Sequence, residues 1–435
     1  MVFIRYASRY AVVRMIVPYS DMTAWADVAA GSSIDVRIVA RLAELGLPPA
    51  PPASRPAALR RLTLDLAGRL PTIDEALEHL TDDRPDAWER RVDRLLAAPD
   101  FDAVWTFRLS RWLAADTAGE PAATSAYRNW LFNNVAADTP WHESVAQMVA
   151  ARGDSHVVGP TGFYRSTVDP RIQSERFAEQ VLGSRLRCAN CHDHPLDRWT
   201  QDDYHGLAAI FAKVDAARIV QDRPSGEVLH PRELIPAVPK LPAIPTAAPH
   251  LDSSDLVDWL GADTFAAKRV TQVHVNRIWE ALLGRGLVEP IDDWRDTNPP
   301  SHPLLLESLT EAWQWQQGSL RGLVRRIVVA ATTTAGARPR GCCRRVQRVH
   351  LTGRADVAVG VDVDVERLGD HHPQTHVELA AVYQQRMLYV LLHDPFGAGG
   401  DGHAGPRVGC QTLTRKGCEQ AFKVLADHLG YTLTG

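Results

Sequence analysis

The run Cys188-Ala189-Asn190-Cys191-His192, followed by Asp193-His194-Pro195, gathers soft and borderline metal ligands more tightly than any other stretch of the chain. The pattern C-x-x-C-H is the attachment signature of c-type haem. Two thiols three positions apart can each form a thioether with a haem vinyl group, and the adjacent imidazole can then reach the iron. On this reading Cys188 and Cys191 are the covalent anchors of haem c and His192 is the proximal ligand. Cys188, Cys191, His192 and His194 offer the thiolates and imidazoles that also suit zinc. A non-enzymatic, zinc-stapled scaffold is therefore the alternative, and a pair of buried cysteines without metal is the plain one.

A distal haem ligand must come from elsewhere. His205, in the helix that follows the motif, is preferred over Met148, His142 and His156. Asp193 and Asp197 could orient a ligand imidazole, or serve simply as turn and cap residues. A second polar cluster comprises Asn276, Arg277, Asp292, Asp293, Asn298 and His302, with Arg285 and Arg295 among them. It reads either as a ligand pocket, which would make the protein an extracellular binding module or enzyme, or as a buried network tying a loop to a helix. The chain contains no nucleophile elbow, no phosphate loop and no H-E-x-x-H, and whether it is an enzyme stays open.

The elements that must hold these residues are mainly helical. Apolar residues recur at helical spacing over 34–45, 88–96, 101–113, 172–186, 204–214, 266–283, 305–313 and 320–329. Thr72 with Glu75, and Thr200 with Asp203, form capping boxes that open two helices. The cysteine motif thus falls in the turn between a helix at 172–186 and another that starts after Thr200. The segment 216–250 is a Pro-rich linker with room for short strands. Tryptophans and tyrosines at these spacings read as core.

Composition sets the bounds. With 435 residues, 45% apolar and 23% charged, the chain is that of a globular protein with two or three domains. A net charge of -4 leaves no basic footprint for nucleic acid, and no apolar run reaches the length of a transmembrane helix. Six cysteines in this length do not make a disulfide framework.

The order of these stretches resembles the planctomycete-type cytochrome-c-associated proteins of unknown function. In those proteins a helical domain with a C-x-x-C-H motif precedes a second helical domain. The likeness is carried by Leu59 through Thr72, by Trp88 through Leu96, by the motif through Trp199-Thr200-Gln201-Asp202-Asp203-Tyr204, and by Val275-Asn276-Arg277-Ile278-Trp279 through His302-Pro303. It covers roughly residues 34–330. The resemblance implies a mainly α protein divided into an atypical segment 1–33, a helical domain 34–215, the linker 216–250 and a truncated second helical domain 251–330. It favours haem over zinc but supplies no reaction; the thiol–thiol–imidazole triplet between two amphipathic helices is what points to an electron-transfer or redox-accessory role with a redox partner protein. The resemblance also implies a periplasmic or cell-surface location, although residues 1–31 lack the apolar core of about 7–15 residues that an export signal needs. Residues 331–435 differ in composition, holding four of the six cysteines and no tryptophan. They are expected to be an irregular tail, frame-shifted or rearranged, with one isolated strand at 357–365 and with His371, His372 and His376 given no role.

Overall fold

A computed structural model describes residues 2–6, 9–13, 16, 18–19, 32–50, 52–117, 119–261, 265–334, 377–378 and 388–392. Its strands in chain order are β1 (Val2–Tyr6), β2 (Arg9–Val13), β3 (Gly153–Asp154), β4 (Val214–Asp215), β5 (Ile219–Asp222), β6 (Val377–Glu378) and β7 (Leu388–Leu392). The helices are α1 (Ser33–Glu44), α2 (Arg55–Ala67), α3 (Ile73–Thr81), α4 (Ala87–Leu96), α5 (Pro99–Trp112), α6 (Pro121–Ala136) and α7 (Trp141–Ala150). They continue with α8 (Gly162–Arg165), α9 (Pro170–Phe177), α10 (Gln201–Ala212), α11 (Ser253–Gly261), α12 (Phe265–Leu283), α13 (Pro303–Trp315) and α14 (Leu320–Thr334). The protein is mainly α, as the periodicity requires.

Two compact units divide the chain, Pro18–Pro339 and a smaller one made of Met1–Val17 with Arg340–Gly435. In the smaller unit the strands form one sheet in the order β2-β1-β7-β6. β1 and β2 pair antiparallel, β1 and β7 parallel, and β6 and β7 antiparallel. The segment expected to be an irregular tail therefore contributes two strands; the strand expected at 357–365 and the three tail histidines lie outside the described residues.

All the helices among the described residues lie in the larger unit. Proline in the first turn starts α2, α5, α6, α9 and α13, where its missing N–H costs nothing. The expected capping box opens α3: Thr72 Oγ1 accepts from Glu75 N, and the Glu75 carboxylate accepts from Thr72 N at 2.7 Å. Gly68 closes α2 in the left-handed region at φ +68°.

Residues 34–215 and 251–330 share one continuous apolar cluster, which runs from Ile34 to Ala330. α14 packs against α1, α4, α12 and α13. The Arg321 guanidinium reaches back to the Val135 and Leu96 carbonyls and to Asp102. His302 caps α13 and bonds the Arg37 carbonyl of α1 at 2.8 Å. Most tryptophans are core residues, including Trp105, Trp141, Trp199, Trp279 and Trp313. Trp88, Trp112 and Trp130 are half-buried against the core, and Trp315 is 88% exposed, because it falls on the outer side of the last turn of α13.

The Pro-rich linker is ordered against α10. β5 pairs with both β3 and β4 in a small antiparallel sheet. Beyond it, Lys240 lies against Gly206 so closely that a Cβ on that glycine would sit 2.4 Å from the Lys240 Cβ. The Lys240 ammonium pairs with Asp203 at 2.7 Å.

Candidate functional site

The helix expected over 172–186 is shorter and ends differently. α9 gives way to one π-helical turn, Ala178–Leu182, which stops at Gly183 with φ +62°. The last carbonyls of a helix lack intrahelical partners. Here the buried Arg277 of α12 supplies them, donating to the carbonyls of Gln180 and, at 2.8 Å, Glu179. The Trp294 N–H donates to the Gly183 carbonyl at 2.8 Å. A Cβ at Gly183 would lie 2.5 Å from Trp294 Cδ1 and 2.8 Å from Val273 Cγ2. Residues distant in sequence thus decide where this helix stops and the motif begins.

The chain then forms a 3₁₀ helix, Leu186–Asn190, with Cys191 continuing the turn in the helical region. Three residues per turn put i and i+3 in line. Leu186 and Ala189 form the buried edge. Cys188 and Cys191 form another edge, and both are exposed free thiols. His192 follows, also exposed. Its Nδ1 lies 2.8 Å from the Asp193 carbonyl. A carbonyl can only accept, so Nδ1 carries the proton and Nε2 is the lone-pair nitrogen.

Beneath the turn, two side chains of α10 hold one carbonyl. Gln201 Nε2 donates to Asn190 O at 3.2 Å, and His205 Nε2 donates to the same oxygen at 3.0 Å. Asp193 Oδ1 accepts from the Gln201 N–H at 3.0 Å, beside the Thr200–Asp203 capping box that starts α10 as expected. His205 is only 1% exposed, and its ring stands 5.1 Å from the buried His230 ring in the linker. Burial holds the His205 imidazole below its usual pKa.

On the far side of the motif, the chain docks on α12 and the loop after it. Asp197 is 8% exposed, and its Oδ1 accepts from the Arg198 N–H at 2.9 Å. Burial pushes this carboxyl up to about 6, and nearby Asp296 adds to the rise. Burial also lowers the Arg269 pKa; its guanidinium lies over the rings of Phe265 and Trp294, about 5 Å from each centroid. Thr297 Oγ1 donates to Leu196 O at 2.8 Å, and Arg198 pairs with Asp296 at 2.8 Å.

Several expected assignments change in three dimensions. Among the described residues no three His, Cys, Asp or Glu side chains stand together as metal ligands would. In this structure Cys188, Cys191, His192 and His194 are not gathered as a quartet: His194 turns half inward and its Nδ1 accepts from Leu196 N at 3.2 Å. His205 is not opposite the exposed thiols: it lies under the turn with Nε2 committed to Asn190. Met148 is buried and accepts from the Tyr127 hydroxyl at 3.2 Å. His156 pairs with Glu120 at 2.6 Å.

The polar cluster of the second segment bonds backbone groups and forms ion pairs in separate places. The buried Asn276 bonds Leu287 N, Val288 N and Val288 O. Asn298 bonds the carbonyls of Glu289 and Asp293. Asp292 pairs with Arg185 at 2.7 Å, and Asp293 with Arg295 at 3.1 Å. Arg277 and His302 bond the carbonyls already described. Two neighbours of the motif escaped the sequence reading, His230 and Arg269. His230 lies in a stretch with no periodicity, and Arg269 sits among ordinary helical residues, so neither left a signal.

Residues 33–216 match the family described as PSCyt2, a protein of unknown function (DUF1549). Residues 254–340 match the family described as PSD1, a protein of unknown function (DUF1553). These are domains of planctomycete-type cytochrome-c-associated proteins, here in that N-to-C order. No curated protein and no solved structure matches the chain.

Proposed function

We propose that this protein carries a c-type haem on Cys188, Cys191 and His192 and serves in electron transfer, or as a redox accessory to a partner protein. One observation carries the reading. The two thiols share an exposed edge of a single 3₁₀ turn, and the next residue is an exposed imidazole whose Nδ1 is tied to a backbone carbonyl. That donor set fits the group. Each Sγ–H can add across a vinyl double bond, sulfur to one carbon and hydrogen to the other. His192 Nε2 would donate to the iron, its basicity supported by the Nδ1 bond to Asp193 O. Bound haem would supply one-electron chemistry. The chain supplies position: Leu186 and Ala189 anchor the turn in the core, and Gln201 with His205 holds it from below.

The surroundings are open, with Arg187, Asp193, Pro195 and Arg198 all exposed. An exposed centre favours contact with a protein partner over a buried substrate, which supports the redox-partner reading. No helix among the described residues is long and apolar enough to cross a membrane. Haem attachment of this kind is an export-side reaction in bacteria, so the reading carries with it a periplasmic or cell-surface location.

The test is expression of the full chain with c-type maturation machinery, followed by a haem stain of the denatured protein. Covalent colour that is lost in Cys188→Ala is the expected result. Colourless protein with the mass of the bare polypeptide would overturn the proposal.

A further inference from the structure

The same turn has a second chemistry that needs no haem. We infer that Cys188 and Cys191 form a reversible intrachain disulfide, giving the protein a two-electron dithiol–disulfide couple. Three steps along a 3₁₀ helix rise about 6 Å and complete one turn. Ideal 3₁₀ geometry thus places the two cysteine Cα atoms about 6 Å apart, one above the other, on the exposed edge of Leu186–Asn190 and its cap Cys191. Disulfides are unstrained at Cα separations of roughly 4.4–6.8 Å, most often at about 5.5–6 Å. In an ordinary α-turn the two side chains would diverge around the axis; here they are in line.

The turn is also held from the other side. Leu186 and Ala189 are buried, and Asn190 O accepts from both Gln201 and His205. The backbone that brings the sulfurs into line is thus fixed by the core and by α10, and not by the sulfurs themselves. Both redox states can share it, which makes the couple reversible.

The oxidant is a disulfide, either a small molecule or a partner protein. One cysteine thiolate attacks a sulfur of that disulfide and forms a mixed disulfide while the first leaving thiolate departs. The second cysteine thiolate then attacks its neighbour's sulfur, closing the Cys188–Cys191 bond and releasing the other thiolate. The chain loses two electrons and two protons, and one external disulfide becomes two thiols. A closed disulfide cannot form thioethers, so this couple also governs whether the turn is open to haem. The inference itself rests on the turn geometry and not on the haem reading.

Cleavage after Arg187 and Arg198 places both cysteines in one peptide, residues 188–198. The full chain, expressed without maturation machinery, is equilibrated in mixtures of reduced and oxidised dithiothreitol, quenched with a maleimide and digested. The expected result is a peptide two hydrogens lighter and carrying no maleimide, replaced by the doubly labelled peptide as the mixture becomes more reducing. Cys188→Ser should leave Cys191 labelled throughout. Double labelling at every ratio, or pairing only with the four cysteines elsewhere in the chain, would overturn the inference. Because this protein holds no haem, a colourless product in the maturation experiment leaves the outcome here unaffected, and the reverse also holds.

Discussion

Asp197 is the residue next to the motif whose charge the fold opposes most clearly, and the size of that opposition can be measured. Burial moves its pKa from 3.8 to about 6. A carboxyl raised on folding contributes stability that is fully present below pH 3.8 and is lost as the pH rises through 6. Integrating proton binding between the two values gives a loss of about 1.6 kcal/mol at pH 5 and about 3 kcal/mol at pH 8. Asp197→Asn keeps the oxygen that accepts from Arg198 N and removes the charge. The variant should therefore gain more stability at pH 8 than at pH 5, by about 1.4 kcal/mol. Any constant cost of fitting the amide cancels in that difference, as do the other titrating groups. Urea unfolding of both proteins at the two pH values, followed by tryptophan fluorescence, is the assay. An identical gain or loss at both pH values would refute the argument that Asp197 is ionised at a cost in the folded protein. A carboxylate kept at such a cost beside an exposed dithiol is also a reasonable place to look for function.

Two other outcomes follow from a buried histidine of the core and from the glycine that ends the helix before the motif. His274 is 2% exposed, stacked on Trp141 with ring centroids 4.3 Å apart and edged by Trp112 and Trp313, and its pKa lies well below 6.5 because it is buried. Its contribution is fully present above pH 6.5 and is lost as the pH falls toward the depressed folded value. The loss is about 1.4 kcal/mol per pH unit, so His274→Phe should flatten the acid side of the stability profile by that slope. Parallel profiles for the two proteins would count against a neutral, caged imidazole. Gly183→Ala forces a side chain into the left-handed region and against Trp294 and Val273. It should cost about 2–5 kcal/mol in urea unfolding, and a variant as stable as the parent would show that the stop after Leu182 is not fixed by that packing.

The covalent and redox readings of the motif make opposite demands on the same atoms. Thioether formation consumes both thiols permanently, whereas the disulfide returns them on reduction. The geometry that serves both is one feature, a 3₁₀ turn with its thiols outward and its carbonyl pinned from beneath. His205 takes part as a positioning residue in either case, because its Nε2 meets the backbone of the turn and not the reacting sulfurs.

Local chemistry made much of this protein legible in the sequence. Helical periodicity and the Thr72 and Thr200 capping boxes depend on contacts within a few residues, and they marked most of the helices and the starts of α3 and α10. The Cys188–His192 spacing likewise raised the haem and zinc readings without any fold. What periodicity could not supply was anything decided across long separations. The apolar run 172–186 continues past Gly183, yet the helix stops there because Arg277 and Trp294, about a hundred residues later, take its final carbonyls. The roles of Asn276, Asp292 and His302 were undecided between pocket and network because a list of polar residues does not reveal which backbone groups lack partners. His205 looked free to reach an iron until the fold placed it under Asn190. The sequence by itself determined which side chains could react and which segments would coil. Only the tertiary structure decided which of those side chains face solvent, since burial depends on which partner satisfies each polar group.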